Sequence, residues 1–313
     1  MKLKESLYYA KILLFGEYGI IEDSMGLSVP YNNYNGKFRF PENPAERDLN
    51  SNKVLRKYLS HLQALYMAGE LPFDLDLEAF INDVENGMSF DSSIPQGFGI
   101  GSSGALVAAI YGKYAIDKID SESVDKKGIL DLRNIFSLLE SYFHGKSSGL
   151  DPLICYLNIP ILIKSKNDLD TIGLPSFNTS GNGAIFLLNT GLSRETQPLV
   201  QLFLEKLKQE GFRKIMKEQF KKYNDDCINA FLKGDFKPLF GNMAKLSRLL
   251  LDNFAPMIPG SLMKAWQQGL DTQAYYLKLC GSGGGGFILG FTPDMSKARK
   301  LLSGHDLEVI YTF

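Results

Sequence analysis

Apolar residues recur along this chain in two rhythms, short extended runs and longer stretches at helical spacing. Residues 7–15 read as a strand, closed by a turn at Gly16-Glu17-Tyr18-Gly19. Residues 27–29 and 37–40 read as extended, with a turn over 32–36 between them. Val54, Leu55, Tyr58, Leu59, Leu62, Leu65 and Tyr66 fall at helical spacing and predict a helix over 52–67. Residues 73–77 and 88–94 read as strands leading into a glycine loop. A helix is predicted over 103–116, and a second, amphipathic one over 129–143 that His144-Gly145 closes. Residues 154–163 return to strand-like side chains, and 167–183 are loop-rich. Then come a strand at 184–188 and helical patterns over 196–222, 224–233 and 236–251. Strands at 274–279 and 287–291, a short helix at 295–302 and a last strand at 307–313 finish the chain. The mixture indicates an α+β protein. A chain of 313 residues can bury two cores, and the boundary is placed near 180, giving domains 1–180 and 181–313.

Composition narrows the partners. Lys and Arg number 34 against 35 Asp and Glu, a balance with no electrostatic footprint for nucleic acid or an anionic membrane. Apolar runs are strand-sized and too short to span a bilayer, and the start of the chain lacks the pattern of a secretory signal. Three widely spaced cysteines, Cys155, Cys227 and Cys280, suit neither a disulfide framework nor a zinc site. With three histidines, a His-based metal site is not expected. A cytoplasmic enzyme acting on a small molecule fits best. The apolar residues of the helices over 196–251 are assigned to the core, with a homodimer face as the alternative.

The chemistry centres on Pro95-Gln96-Gly97-Phe98-Gly99-Ile100-Gly101-Ser102-Ser103-Gly104-Ala105. Glycines at alternate positions let a backbone bend and approach a ligand closely. The helix that follows aims unpaired N–H groups and the positive end of its dipole at the loop, where phosphate is the natural occupant. Ser102 and Ser103 add hydroxyls for a phosphate oxygen or Mg²⁺; a tight turn with a serine cap is the competing reading. The common P-loop is excluded, because no Gly-Lys-Ser/Thr run exists. Gly99, Gly101 and Gly104 match a dinucleotide fingerprint by letter, but the regular strand–helix array that fingerprint requires is missing.

Three further residues carry chemistry only in combination. Lys11 sits among apolar residues in Ala10-Lys11-Ile12-Leu13-Leu14-Phe15; buried there, it demands an anionic partner, and on a surface strand it would snorkel. Glu140 lies on the apolar-periodic helix, where it is either an edge residue or a buried carboxylate needing a cation or donor. Asp151, before Pro152, reads by itself as a turn residue.

In order along the chain, Lys11 with Leu14-Phe15-Gly16-Glu17, the loop 95–105, Glu140 with His144-Gly145 and Ser147-Ser148-Gly149-Leu150-Asp151, and finally 278–286 resemble the superfamily of galacto-, homoserine, mevalonate and phosphomevalonate kinases (GHMP), most of all its mevalonate kinase branch. The resemblance implies a two-domain GHMP kinase fold, with a ribosomal-protein-like α+β N-terminal domain and a ferredoxin-like C-terminal domain. It implies an ATP-dependent kinase for the primary alcohol of a small metabolite, mevalonate first. By the same resemblance Ser103 and Glu140 would hold Mg²⁺, Asp151 would be the catalytic base, and Lys11 would pair with Asp151 and the γ-phosphate. Pro95, Gly97, Gly99, Gly101, Ser102, Ser103 and Gly104, with Gly281, Ser282 and Gly283, would bind the nucleotide. Glu17, Tyr18, His144 and Ser148 are acceptor candidates by proximity. The chain departs from the family pattern with Tyr18 for His, Ile100 for Leu, Gly104 for Ala, Ser147 for Pro, Cys280 for Thr and Ser282 for Ala. Rival readings are a related kinase acting on phosphomevalonate, homoserine or a sugar, the decarboxylase branch, and a catalytically silent nucleotide sensor.

Overall fold

A computed structural model describes residues 6–176, 181–193 and 196–313; the expected loop over 167–183 thus lies partly outside the described residues. The described residues form two compact units that interleave along the chain. One takes in residues 6–11, Pro30–Pro95 and Gly101–Ile159, the other Ile12–Val29, Gln96–Ile100 and the described residues of 160–313.

Strand β1 (Tyr8–Phe15) and strand β2 (Gly26–Arg39) each contribute residues to both units. The turn expected over 32–36 is absent, because β2 runs straight through it. Extended backbone needs a partner for its amides, and here the partner is remote. Gly36–Arg39 pairs antiparallel with β3 (Ser89–Ser92), and the Ser93 hydroxyl accepts the Asn35 N–H at 3.0 Å. The Phe90 ring lies over Gly36, where a methyl group would come within 2.3 Å of it.

Between these strands run α1 (Glu46–Met67) and α2 (Leu77–Glu85). The segment 73–77, read as a strand, makes a single bridge from Leu75 to Ala115. Asp76 then accepts the Ala79 N–H at 3.0 Å and starts α2, an N-cap of the ordinary kind. Helix α3 (Ser102–Tyr114) is nearly apolar all round because α2, α4 (Lys126–His144) and α5 (Leu150–Leu157) cover it. Helix α5 corrects the strand-like reading of 154–157, while 161–163 is extended as read. Gly149 and Asn158 take left-handed backbone at its two ends, and its Leu153, Ile154 and Cys155 are buried.

In the second unit Gly26–Ser28 of β2 pairs antiparallel with β4 (Ile161–Ser165), which pairs with β5 (Asp168–Thr171), a strand inside the segment read as loop. The remainder is β6 (Ala184–Asn189), α6 (Thr196–Leu207), α7 (Glu210–Ile215), a π-helical turn (Met216–Phe220), α8 (Lys221–Lys233), α9 (Phe236–Asn253), α10 (Met263–Thr272), β7 (Tyr276–Leu279), β8 (Phe287–Thr292), α11 (Met295–Leu301) and β9 (Asp306–Thr312). The four strands lie in spatial order β7-β8-β6-β9, with β8 and β9 antiparallel to β6. That is the ferredoxin-like β-α-β-β-α-β order expected from the sequence. Phe231 of α8, with Leu239, Met243 and Leu246 of α9, is buried in this unit, which is the core role anticipated for them. No helix among the described residues is long and apolar enough to cross a membrane.

Two glycines with the same left-handed backbone should respond differently to alanine. At Gly149 (φ +73°) a methyl group would lie 2.1 Å from the Arg133 carbonyl oxygen, whereas at Gly191 (φ +69°) nothing lies within 4 Å. Gly191→Ala should therefore cost only the backbone strain, about 1 kcal/mol. Gly149→Ala should cost roughly 3–4 kcal/mol, because α4 and α5 must also be pushed apart. Thermal or urea unfolding of the two variants measures the difference.

Candidate active site

Lys11 lies within β1 at 3% exposure, and its ammonium meets the Asp151 carboxylate at 2.8 Å. The lysine side chain is almost wholly out of water and that of Asp151 is 38% exposed, so the pair presents its carboxylate outward. Asp151 stands in the first turn of α5, where the helix dipole favours an anion.

Three glycines make the meeting possible. Gly101 (φ +84°) ends the loop against the Lys11 stem, 2.9 Å from where its Cβ would be. Gly104 lies against the backbone of Asp151 and Pro152, each of which a methyl group would approach to 2.8 Å. This accounts for glycine where the family usually has alanine: α3 and α5 touch backbone to backbone here. Gly149 does the same for α4 and α5. Cys155 lies below, its thiol directed at the Gly101 carbonyl at 3.8 Å. Burial pushes that thiol well up, and Asp151 adds to the effect while Lys11 opposes it, as suits an inert core residue.

Glu140 is 4% exposed on α4. Ser103, at the start of α3, donates to its Oε1 at 3.2 Å, and Ser147 donates to its Oε2. Burial first, and then the charge of Asp151, push the Glu140 carboxyl up to about 7; the two hydroxyls and Lys11 pull the other way. Ser147 is a site residue that the motif comparison registered only as a departure from proline. Its hydroxyl also accepts the Gly149 N–H at 3.0 Å, its carbonyl accepts from Ser137 at 2.6 Å, and Arg133 donates to the Ser148 carbonyl at 3.1 Å. The segment carrying Asp151 is thereby bound to the helix carrying Glu140. A serine two residues before a glycine, beside a helix with a buried carboxylate, was the available signal. Ser148 is exposed, and its hydroxyl accepts only the Leu150 N–H at 3.4 Å among the bonds found for it. His144 ends α4; its side chain lies outside the described residues.

Lys11, Gly101, Ser102, Ser103, Gly104, Glu140, Ser148 and Asp151 all belong to the first unit, as does Pro95; Gly97 and Gly99 belong to the second, together with Gly281, Ser282, Gly283, Glu17 and Tyr18. Within that second unit Gly97 and Gly99 take left-handed backbone, at φ +77° and +79°. A methyl group on Gly99 would lie 2.7 Å from the Cys280 carbonyl oxygen, and one on Gly286 would lie 2.4 Å from Phe98 Cα. Glu17 and Tyr18 are buried, at 6% and 7% exposure. Glu17 pairs with Lys278 at 2.5 Å, and the Tyr18 hydroxyl donates to the Ser282 carbonyl at 2.7 Å. Lys278 went unassigned in the sequence, although it sits among apolar residues just as Lys11 does.

Residues 59–158 match the GHMP kinases N terminal domain, a span that holds Ser103, Glu140 and Asp151. No curated protein matches the chain in sequence. Solved structures match it over nearly its whole length. Mevalonate kinase of Methanococcus jannaschii is 18% identical, with 100% of both chains covered and a TM-score of 0.61. Phosphomevalonate kinase of Streptococcus pneumoniae, solved with phosphomevalonate and AMPPNP, is 15% identical, covering 98% of this chain and 100% of that one at 0.63. Galactokinase of Lactococcus lactis, complexed with galactose, is 14% identical, covering 98% and 92% at 0.65. The fold is thus that of the small-molecule kinases. Residues 59–158 are similar to the GHMP kinases N terminal domain and the whole chain has the fold of these kinases; relatives of three different names at similar scores leave the fold silent on the substrate.

The raised Glu140 carboxyl has a consequence for stability. A carboxyl whose folded-state value stands near 7, above its ordinary 4.5, stabilises the fold fully below pH 4.5 and loses that contribution as pH rises through 7. In nucleotide-free buffer with chelator, Glu140→Gln should match the parent near pH 4.5 and exceed it by up to about 3 kcal/mol at pH 8. Urea unfolding at the two pH values checks this; a gap that stays constant with pH would refute it.

Proposed function

We propose that this chain is an ATP-dependent kinase that transfers the γ-phosphate to the primary hydroxyl of a small metabolite, with mevalonate, giving 5-phosphomevalonate, as the preferred acceptor. The observation that carries the reading is the Lys11–Asp151 pair, a carboxylate in contact with a buried ammonium and partly open to solvent beside the start of α3. A carboxylate so placed accepts a proton from an alcohol as it attacks phosphorus, and the same ammonium supports charge on the transferring group. Phosphoryl transfer asks chiefly for positioning and charge neutralisation, and the N-terminal amides of α3 behind Gly101 supply donors for phosphate oxygens.

Mg²⁺ takes hard oxygen ligands, one or two of them carboxylates, and completes its shell with phosphates and water. Glu140 and Ser103 offer a carboxylate and a hydroxyl within 3.2 Å of each other, and the donor set fits. When bound, the ion would offset charge on the phosphates. It would also keep Glu140 ionised, which burial alone disfavours, while Ser147 keeps the second carboxylate oxygen in place. Glu140 and Asp151 thus divide the work: the buried one suits a cation, the open one a proton. Preference for mevalonate rests on the motif resemblance and on the mevalonate kinases among the structural relatives.

Release of ADP from Mg-ATP, measured against mevalonate, phosphomevalonate, diphosphomevalonate, homoserine, galactose and fucose, tests the assignment. Turnover with mevalonate is expected, and Asp151→Asn should lower kcat by roughly 10²–10⁴-fold while leaving nucleotide affinity nearly unchanged. Turnover with another member of the panel would move the acceptor and leave the site intact. No turnover despite tight ATP binding would replace the kinase by a nucleotide sensor.

A further inference from the structure

Gly16, with φ +109°, and Tyr18, with φ +61°, turn the chain sharply after β1. Left-handed backbone is natural for glycine and strained for tyrosine. Tyr18 keeps it because both ends of the side chain are engaged. Its ring lies 4.5 Å from that of Phe203 and 5.7 Å from that of Phe254, and its hydroxyl donates to the Ser282 carbonyl at 2.7 Å. One residue earlier, Glu17 closes its ion pair with Lys278, both side chains nearly out of water. Lys278 also donates to the Leu279 carbonyl at 2.8 Å. The turn therefore grips the end of β7 and the loop after it at two points, 278 and 282.

The gripped loop is the one that abuts the glycine segment. A Cβ on Gly281 would lie 3.1 Å from Gly99 Cα, the Phe287 N–H reaches the Phe98 carbonyl at 3.4 Å, and the two phenylalanine rings meet edge to face at 5.1 Å. At such distances neither backbone moves without the other. Stability alone does not call for these devices. A buried ion pair is commonly no better than an apolar pair of similar volume, and glycine would relieve the strain at position 18.

We infer that Glu17, Tyr18 and Lys278 are positioning residues that hold loop 280–286, and through it 97–99, at the spacing a nucleotide triphosphate requires. They set nucleotide affinity and do not read the acceptor. The inference rests on the proposed phosphate role of the glycine segment.

Tyr18→Phe keeps the ring and removes the bond to Ser282. On the full chain, amide hydrogen exchange without nucleotide should quicken over 280–286 and 97–99, with a midpoint of thermal unfolding close to the parent's. The Kd for Mg-AMPPNP by calorimetry should rise about three- to tenfold, the usual worth of one hydrogen bond, while the KM of the acceptor that turns over stays within twofold. The double variant Glu17→Gln with Lys278→Met, which leaves no lone buried charge, should shift exchange and Kd in the same direction. Unchanged exchange in Tyr18→Phe would overturn the inference. So would faster exchange with an unchanged Kd, or a raised acceptor KM with an unchanged Kd. Failure of the parent protein to bind AMPPNP would instead bring down the nucleotide reading, and the exchange result would still decide whether Tyr18 holds the loop.

Discussion

An ammonium taken out of water must meet a negative charge, and the burial of Lys11 in β1 imposes that demand on the first unit. Its answer, Asp151, comes from far along the chain, so the demand governs how α3, α4 and α5 are packed. The carboxylate reaches the ammonium because Gly104 and Gly149 let backbone touch backbone and Gly101 leaves room for the Lys11 stem. A side chain at any of them would lie within 3 Å of its neighbours. The glycines that look like a phosphate cradle in the sequence are therefore also packing residues.

Two carboxylates with opposite surroundings follow from the same packing. Asp151 faces partly outward beside a cation. Glu140 is enclosed, held by two hydroxyls, and pushed up to about 7 by burial and by the neighbouring negative charge. In the function proposed above, Asp151 accepts the proton and Glu140, with Ser103, would hold the cation. Ser147 links them physically, since its hydroxyl binds Glu140 and the turn that leads into Asp151.

The second unit repeats the device with different parts. Lys278 is buried in β7, as Lys11 is in β1, and Glu17 answers it. Here too, glycines allow two backbones to close on each other, Gly99 against Gly281 and Gly286 against Phe98. Aromatic rings from α6, α7 and the π-helical turn pack around Tyr18 and Phe254, which explains how a tyrosine persists in a backbone conformation it would otherwise leave.

Much of this was legible in the letters. Apolar periodicity located α1, α3, α4 and the helices around α8 and α9, because a helix repeats its buried face every three to four residues whatever covers it. Strands β6, β7, β8 and β9 stood out as short apolar runs between turn residues, and the order of the motifs carried the chemistry of Lys11, the glycine loop, Glu140 and Asp151. What the letters left open was everything that depends on a remote partner. Residues 32–36 are rich in turn formers yet stay extended; Gly36 pairs with β3, and Ser93 takes the Asn35 N–H. Residues 154–157 look strand-like yet end a helix, since Gly149 sets its start and α3 covers its face. Glu17 and Tyr18 sit in a motif that reads as acceptor-binding, yet they turn to Lys278 and Ser282, residues more than two hundred and fifty positions away. Local spacing states which side of an element is apolar; only the folded chain decides which neighbour covers it and which buried charge finds which partner.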